Sequence, residues 1–386
     1  MSSPLRGEAA PNDPNGGPTP AARPRARWAT VARWGFFAIA ALALWNTLRH
    51  AELGRAASLA LGSGPKVALV VVPFLLAMLL QTAGYACILA AVGQARSGVR
   101  ARASAYFRLL SVVLSTEAVL LSVPAGAALA ETINPYLLKR RLGVPISEGL
   151  AAGAAKKAAI VFTNGLYIGI AVVFGAGYLR SASHALIGAG GLSWLVTAGG
   201  VAMLIAALVM SRVLFSGSVA ARSHGLLRRI PNMRLRAFLD DRKAGFVETD
   251  AHFAALVQRG RPALATSLVF MLGCWLAEGA EAFVILRLLG VDMPFAEVLA
   301  FEVVVSLLRS LAFMVPAGLG VQDAGYVAFL GAFGVPDAAT LGVAFILVKR
   351  ARELLFIAVG LLLFVVLDDA PSGAAPPLAE PSLERV

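Results

Sequence analysis

Long apolar runs separated by short charged stretches dominate the chain. Runs of roughly twenty or more mostly apolar residues, the length that crosses about 30 Å of hydrocarbon as a helix, fall near 28–48, 67–92, 151–178, 186–214, 262–289 and 338–367. They predict at least six full transmembrane helices. Two shorter apolar segments, 107–123 and 298–315, each run into Pro-Ala-Gly and then another short, mostly apolar piece. These predict broken or re-entrant helical hairpins. Residues 1–24, rich in Pro, Gly, Asn and Ala, and 368–386, rich in Pro and Ala, carry no apolar run and read as disordered tails. The expected fold is an all-α polytopic membrane bundle over 25–367.

Composition agrees with the pattern. Of 386 residues, 58% are hydrophobic and 15% charged, against about 45–50% and about 25% in soluble domains. A soluble globule and a nucleic-acid binder are excluded. The net charge of +12 follows where the basic residues fall, between the apolar runs, as the positive-inside rule describes. Cys87 and Cys274 lie within apolar runs, so neither a disulfide framework nor a cysteine metal site is expected. His50, His184, His224 and His252 are scattered. No metal site, Walker loop, nucleophile elbow or dinucleotide fingerprint appears, and no cofactor or catalytic motif is expected.

Charge also sets orientation. Arg23, Arg25 and Arg27 precede the first span, which lies too far from Met1 for a simple cleavable signal peptide and reads as a signal anchor with a cytoplasmic N-terminus. Arg96, Arg100, Arg102 and Arg108 flank the 107–123 segment on one side and Lys139, Arg140 and Arg141 on the other. Both clusters belong on the cytoplasmic face, so the segment between them leaves and returns as a hairpin. The same count keeps the basic loop 215–261 inside, with Arg222, Arg228, Arg229, Arg234, Arg236, Arg242 and Lys243. Within it, Phe246, Phe253 and Val257 in the stretch 239–257 fit either an amphipathic helix on anionic head groups or a solvated loop. Both termini are expected in the cytoplasm.

An internal repeat accompanies this topology. Val123-Pro124-Ala125-Gly126 recurs 192 residues later as Val315-Pro316-Ala317-Gly318, and the same offset carries Glu131 onto Asp323 and Lys157 onto Lys349. With one residue of slippage, Gly143-Val144-Pro145 matches Gly334-Val335-Pro336. The units fall at about 65–178 and about 262–367. Crossing counts place the two hairpins on opposite sides, which makes the repeat inverted. Secondary transporters have this arrangement, with discontinuous helices meeting near the midplane.

Ionisable groups inside spans cost roughly 2.5 kcal/mol or more and suggest function. Lys349, Arg350, Arg352 and Glu353 lie within the last apolar run, with Lys349 and Glu353 spaced to neutralise each other on one helical face. The cluster reads as a phosphate-binding site or, if the span starts later, as interfacial charge. Lys156 and Lys157 occupy the corresponding part of the first unit and fit binding or snorkelling. Glu278 and Glu281 share a face, where they fit a coupling-proton site, partners of the cations or a structural salt bridge. Glu117 maps onto Arg309, a pair expected to meet at the centre as a gate or clamp. Glu131 and Asp323, with Pro124, Gly126, Asn134, Pro316, Gly318 and Gly320, form the candidate gating motifs; either acid could instead cap a helix N-terminus.

Pro124 to Gly143, with Glu131 and the run Tyr136-Leu137-Leu138-Lys139-Arg140-Arg141-Leu142-Gly143, together with Pro316-Ala317-Gly318-Leu319-Gly320-Val321-Gln322-Asp323, resembles the flippase-like membrane domain of lysylphosphatidylglycerol synthases and their stand-alone relatives, including hopanoid-associated members. The likeness spans about 28–367. This chain departs from the family pattern at Asn134, usually Arg, at Ala130, often Gly, and at Asp323, commonly Glu. The resemblance therefore carries no head-group role onto the first motif. It implies translocation of a lipid or lipid-linked molecule between leaflets. Aminoacyl transfer, which belongs to a separate C-terminal domain in that family, is not implied.

The expected function is thus non-ATPase translocation of an anionic lipid in a bacterial inner membrane, with no nucleic-acid partner. The alternatives are a non-transporting accessory subunit of a lipid-modifying or glycosyl-transferring enzyme and, less favoured, a transferase acting on polyprenyl phosphates.

Overall fold

The computed structural model describes residues 52–62, 64–92, 99–123, 126–188, 191–214, 216, 223–226, 229, 243–311 and 320–367. The expected first span at 28–48 lies outside them, as do both tails, Pro124, Pro316, Gly318 and the side chain of Arg309. Among the described residues there is no strand. The helices are α1 (Leu53–Gly62), a 3-10 turn (Gly64–Val70), α2 (Val71–Val92), α3 (Val99–Ser122), α4 (Gly126–Leu142), α5 (Ile146–Ile187), α6 (Gly191–Leu214), α7 (Lys243–Arg259), α8 (Arg261–Leu288), α9 (Phe295–Leu311), α10 (Val321–Ala332) and α11 (Ala338–Val366).

Among the described residues, five helical segments are long and apolar enough to cross a membrane: Gly64–Val92, Ala103–Ser122, Ile146–Ala185, Ser193–Val213 and Arg261–Leu288. The chain is a multi-pass membrane protein. Three boundaries differ from the sequence expectation. The first hairpin arm, expected to be short, is a 24-residue helix. The run at 151–178 extends to 42 residues in α5, because no proline interrupts it, and the left-handed Gly188 at φ 66° ends it before α6 begins. The 29 residues of α11 include no comparably charge-poor stretch, since Lys349, Arg350, Arg352 and Glu353 occupy the middle.

The repeat is visible in the elements. Helices α2 to α5 and α8 to α11 follow the same order, and α5 and α11 begin 192 residues apart, at Ile146 and Ala338. Gly143 and Gly334 take positive φ of 70° and 75° at the ends of α4 and α10. Only glycine enters that region freely, which explains why the Gly-Val-Pro triplet recurs: glycine ends one helix and proline precedes the next. Between α2 and α8 the close contacts run in opposite directions. Gly84 faces Met271 and the Ser267 carbonyl, whereas Gly273 faces Leu80. These two equivalent helices are therefore antiparallel, as a two-fold axis in the membrane plane requires.

The units also exchange partners. Helix α3 of the first packs on α11 of the second, and α9 of the second packs on α5 of the first. Small residues allow the backbones to approach closely, which is how helices associate where lipid is as apolar as leucine. Gly360 on α11 lies directly against the Leu114 carbonyl, and Gly175 on α5 against Ala300. Ser115 Oγ also donates to the Gly360 carbonyl at 3.1 Å. A helix, α7, does lie in the 215–261 segment, but its Phe253 is buried in the protein core and its Phe246 ring meets His224 at 5.2 Å. Protein, through α2 and α5, covers part of the face that was read as lying on lipid; Val247 remains exposed.

Candidate functional site

Helix α11 carries its charges into the bundle, where other helices meet them with carboxylates. Arg352 forms a fork with Glu281 of α8, at 2.6 Å from Nε to Oε1 and 2.7 Å from Nη2 to Oε2. The side chains are 5% and 1% exposed, and the guanidinium also lies 3.7 Å from the centroid of the Phe74 ring. This planar, two-bonded geometry is the one that Arg uses for carboxylate and for phosphate. Here a carboxylate of the chain fills it.

Lys349 Nζ donates to Glu302 Oε1 of α9 at 3.1 Å and sits over the rings of Tyr326 and Phe345, 4.8 and 5.6 Å from their centroids. The expected neutralisation of Lys349 by Glu353 does not occur. Glu353 instead accepts from Arg350 at 2.5 Å, because Glu302 approaches Lys349 from the facing helix while Arg350 lies only three residues from Glu353. Arg350 reaches further, donating to Asp323 Oδ1 at 2.7 Å. The other oxygen of Asp323 accepts the Gly320 amide at 3.0 Å, as the capping reading expected. Asp323 thus caps α10 and ties it to α11 at the same time. Gln322 Nε2 donates to the Tyr326 hydroxyl at 2.9 Å beside it. Three cations and four carboxylates interlock in this cluster. Such pairs are costly to bury and strongly destabilising to break one partner at a time.

The first unit holds the counterpart. Glu131 and Lys157 meet at 3.4 Å, with side chains 49% and 46% exposed. Pro135 one turn later has no amide to donate to the Glu131 carbonyl, so α4 continues through it with one ladder hydrogen bond missing. Asn134, buried, donates from Nδ2 to the Tyr85 hydroxyl at 2.7 Å. Lys156 Nζ lies 4.8 Å from the centroid of the Tyr85 ring and within electrostatic reach of Glu117 and Glu131. Glu117 lines a narrow apolar crevice with Phe74, Leu114 and Phe356. Gly126 lies against the Val119 and Leu120 carbonyls, where a Cβ would not fit.

The structure therefore brings together Arg350, Glu353, Asp323 and Gly320, joins Lys349 to Glu302 and Arg352 to Glu281, and groups Lys156, Lys157, Glu131 and Asn134 separately. Glu278 is half-buried on the same helix as Glu281, and the expected meeting of Glu117 with Arg309 lies outside the described side chains. Sequence reasoning missed Glu302, Tyr326, Phe74 and Tyr85. Glu302 had a readable signal as a lone acid between apolar residues 298 and 308. Arg141 was read only as an orientation marker, yet it is buried and donates to Ser111, Ser115 and the Leu363 carbonyl at 3.2, 3.1 and 2.9 Å. It thereby fastens α4 to α3 and to α11. Among the described residues no group of three or more His, Cys, Asp or Glu is placed to hold a metal ion.

The profile of one protein family, described as the lysylphosphatidylglycerol synthase TM region, matches residues 33–360. No curated protein and no solved structure matches the chain.

Proposed function

The chain belongs to the lysylphosphatidylglycerol synthase TM-region family, and on that premise we propose that it moves an anionic lipid or lipid-linked molecule between membrane leaflets by a transporter-like mechanism without ATP. Family membership supports a role in lipid handling. The observation that carries the finer reading is Arg350, a cation in the middle of α11 that bridges Asp323 in the first turn of α10 and Glu353 on its own helix.

Arg350 is the most accessible of the three clustered cations, with 18% of its side chain exposed. A phosphodiester entering there would take the place of Asp323 on the guanidinium and release α10 from α11. When the lipid leaves, the carboxylates re-engage and keep the cations from standing unpaired in hydrocarbon. The head group and Asp323 thus compete for one fork, which links occupancy to the position of the hairpin. In this reading the protein is a transporter and not an enzyme. It sits in the bacterial inner membrane with both termini in the cytoplasm, an orientation supported by the basic clusters around the first hairpin and in the 215–261 loop.

The test is leaflet exchange of a labelled anionic lipid in proteoliposomes. Exchange should rise over protein-free vesicles, and Arg350→Gln should bring it back toward that baseline while the protein stays folded. Equal exchange with and without protein would sink the proposal.

A further inference from the structure

Two helices lie outside the repeat, and each fastens to the start of one unit's last helix. Helix α1 precedes the first unit, and α7 lies between the units. Helix α1 packs on α11, with Ala56 fully buried in the core cluster that also holds Val343 and Ala344. Its Arg55 reaches Asp337 at 3.1 Å. Asp337 is the N-cap of α11 and takes a positive φ of 52°, a conformation that a side chain adopts only where its surroundings hold it. Helix α7 packs on α5 in the same manner. Phe253 enters the core cluster of Ala151, Ala152 and Ala155, and His252 lies within electrostatic reach of Glu148 in the first turn of α5.

The two fastenings differ in chemistry. Arginine keeps its charge at every physiological pH, whereas histidine changes charge between about pH 5 and 8. The Nε2 of His252 is buried without a hydrogen-bond partner among the described residues and lies 3.8 Å from Glu248 one turn earlier. Glu148 and Glu248 repel each other across the contact between α5 and α7. A proton on His252 gives both carboxylates a cation, and its loss leaves two like charges face to face. The other titratable groups around α7 are Lys243 and the buried Asp250 on α7 itself, Lys156 and Lys157 about two turns further along α5, Tyr85 and Cys87 on α2, Arg261 at the start of α8, and His224 against the Phe246 ring.

We propose that α1 and α7 are paired straps on the two faces of the inverted repeat, and that the α7 strap is a proton-controlled latch. With His252 protonated, α7 is held on the first turn of α5. With His252 neutral, it loosens and frees the connection between the first hairpin and α5, while Arg55 keeps the second unit's connection fastened. The inverted repeat places the starts of α5 and α11 on opposite membrane faces, so a rise in pH on one side releases one unit only. The inference rests on the repeat and on these contacts, and not on which molecule the chain moves.

The test is hydrogen–deuterium exchange of the full chain in lipid nanodiscs at pH about 5.5 and about 8, on either side of the histidine range, corrected for the intrinsic pH dependence of amide exchange. Amides of α7 should exchange about two- to fivefold faster at the higher pH, the size of a partly exposed ion pair, while those of α1 stay unchanged. His252→Gln should hold α7 at the fast level at both pH values, and His252→Arg at the slow level at both. Glu148→Gln, which removes the repulsion, should shrink the difference. Equal exchange of wild-type α7 at the two pH values, a result that needs no variant to fold, would overturn the proposal. So would α1 loosening in step with α7, or a pH effect that survives in His252→Gln. Failure of leaflet exchange in vesicles would refute the translocation reading and leave the latch standing.

Discussion

Asp323 and Glu131 occupy the same position in the two repeat units but live in different surroundings. Asp323 is held by Arg350 and by the Gly320 amide with 3% of its side chain exposed, while Glu131 meets Lys157 loosely with about half of its side chain in the open. Near Asp323, Lys349 and Arg352 are also closed off by Glu302 and Glu281. Near Glu131 a half-buried lysine rests on a tyrosine ring, and a buried amide oxygen has no donor among the described residues. One fold is thus repeated with one sealed polar cluster and one accessible one. The difference teaches that a two-fold-related scaffold need not hold two-fold-related states, since each unit packs its hairpin against the other unit's last helix.

The largest expected effect tests the sealing. Glu281→Ala leaves the Arg352 guanidinium buried without its fork and should cost about 3–5 kcal/mol of stability, whereas replacing both partners by apolar residues of similar volume should be close to neutral. Thermal unfolding in detergent reads both, and a tolerated single variant would show that this pair does not seal the second unit. Asp323→Asn is smaller, since it keeps an acceptor for the Gly320 amide but weakens the Arg350 contact. A loss of about 1–3 kcal/mol is expected, with cysteine labelling near Gly320 rising as α10 loosens. Smallest is Glu131→Gln. An exposed pair contributes less than about 1 kcal/mol, and that contribution should vanish near 1 M salt, where the Debye length falls to about 3 Å. If Glu131→Gln destabilised the protein as much as Asp323→Asn, the contrast between the units would fall.

Much of the fold was legible because helix periods, break residues and repeat offsets are local properties. The recurring Gly-Val-Pro found its reason in two left-handed glycines, and the charges of α11 were readable as lying within one long helix. Their partners were not. Spacing along one helix says which side chains can meet on its surface, and by that rule Lys349 belonged with Glu353. Tertiary packing brought Glu302 from 47 residues away and left Glu353 to Arg350. Arg141 shows the same limit, since three consecutive cations look alike in sequence, while the helix turns each by about 100° and points only the third inward. The Tyr85–Asn134 contact joins residues 49 apart with no charge or motif to announce it.

The 42 residues of α5 have a mechanical consequence. At 1.5 Å per residue the helix is about 63 Å long, roughly twice the hydrocarbon thickness of a bilayer, so it projects into water even when steeply tilted. It carries Lys156 and Lys157 near one end, takes α7 against its flank, and meets α9 of the other unit near Gly175. A stiff rod longer than the slab it crosses is a lever. One helix thus joins α7, the first unit's polar cluster and the second unit's hairpin.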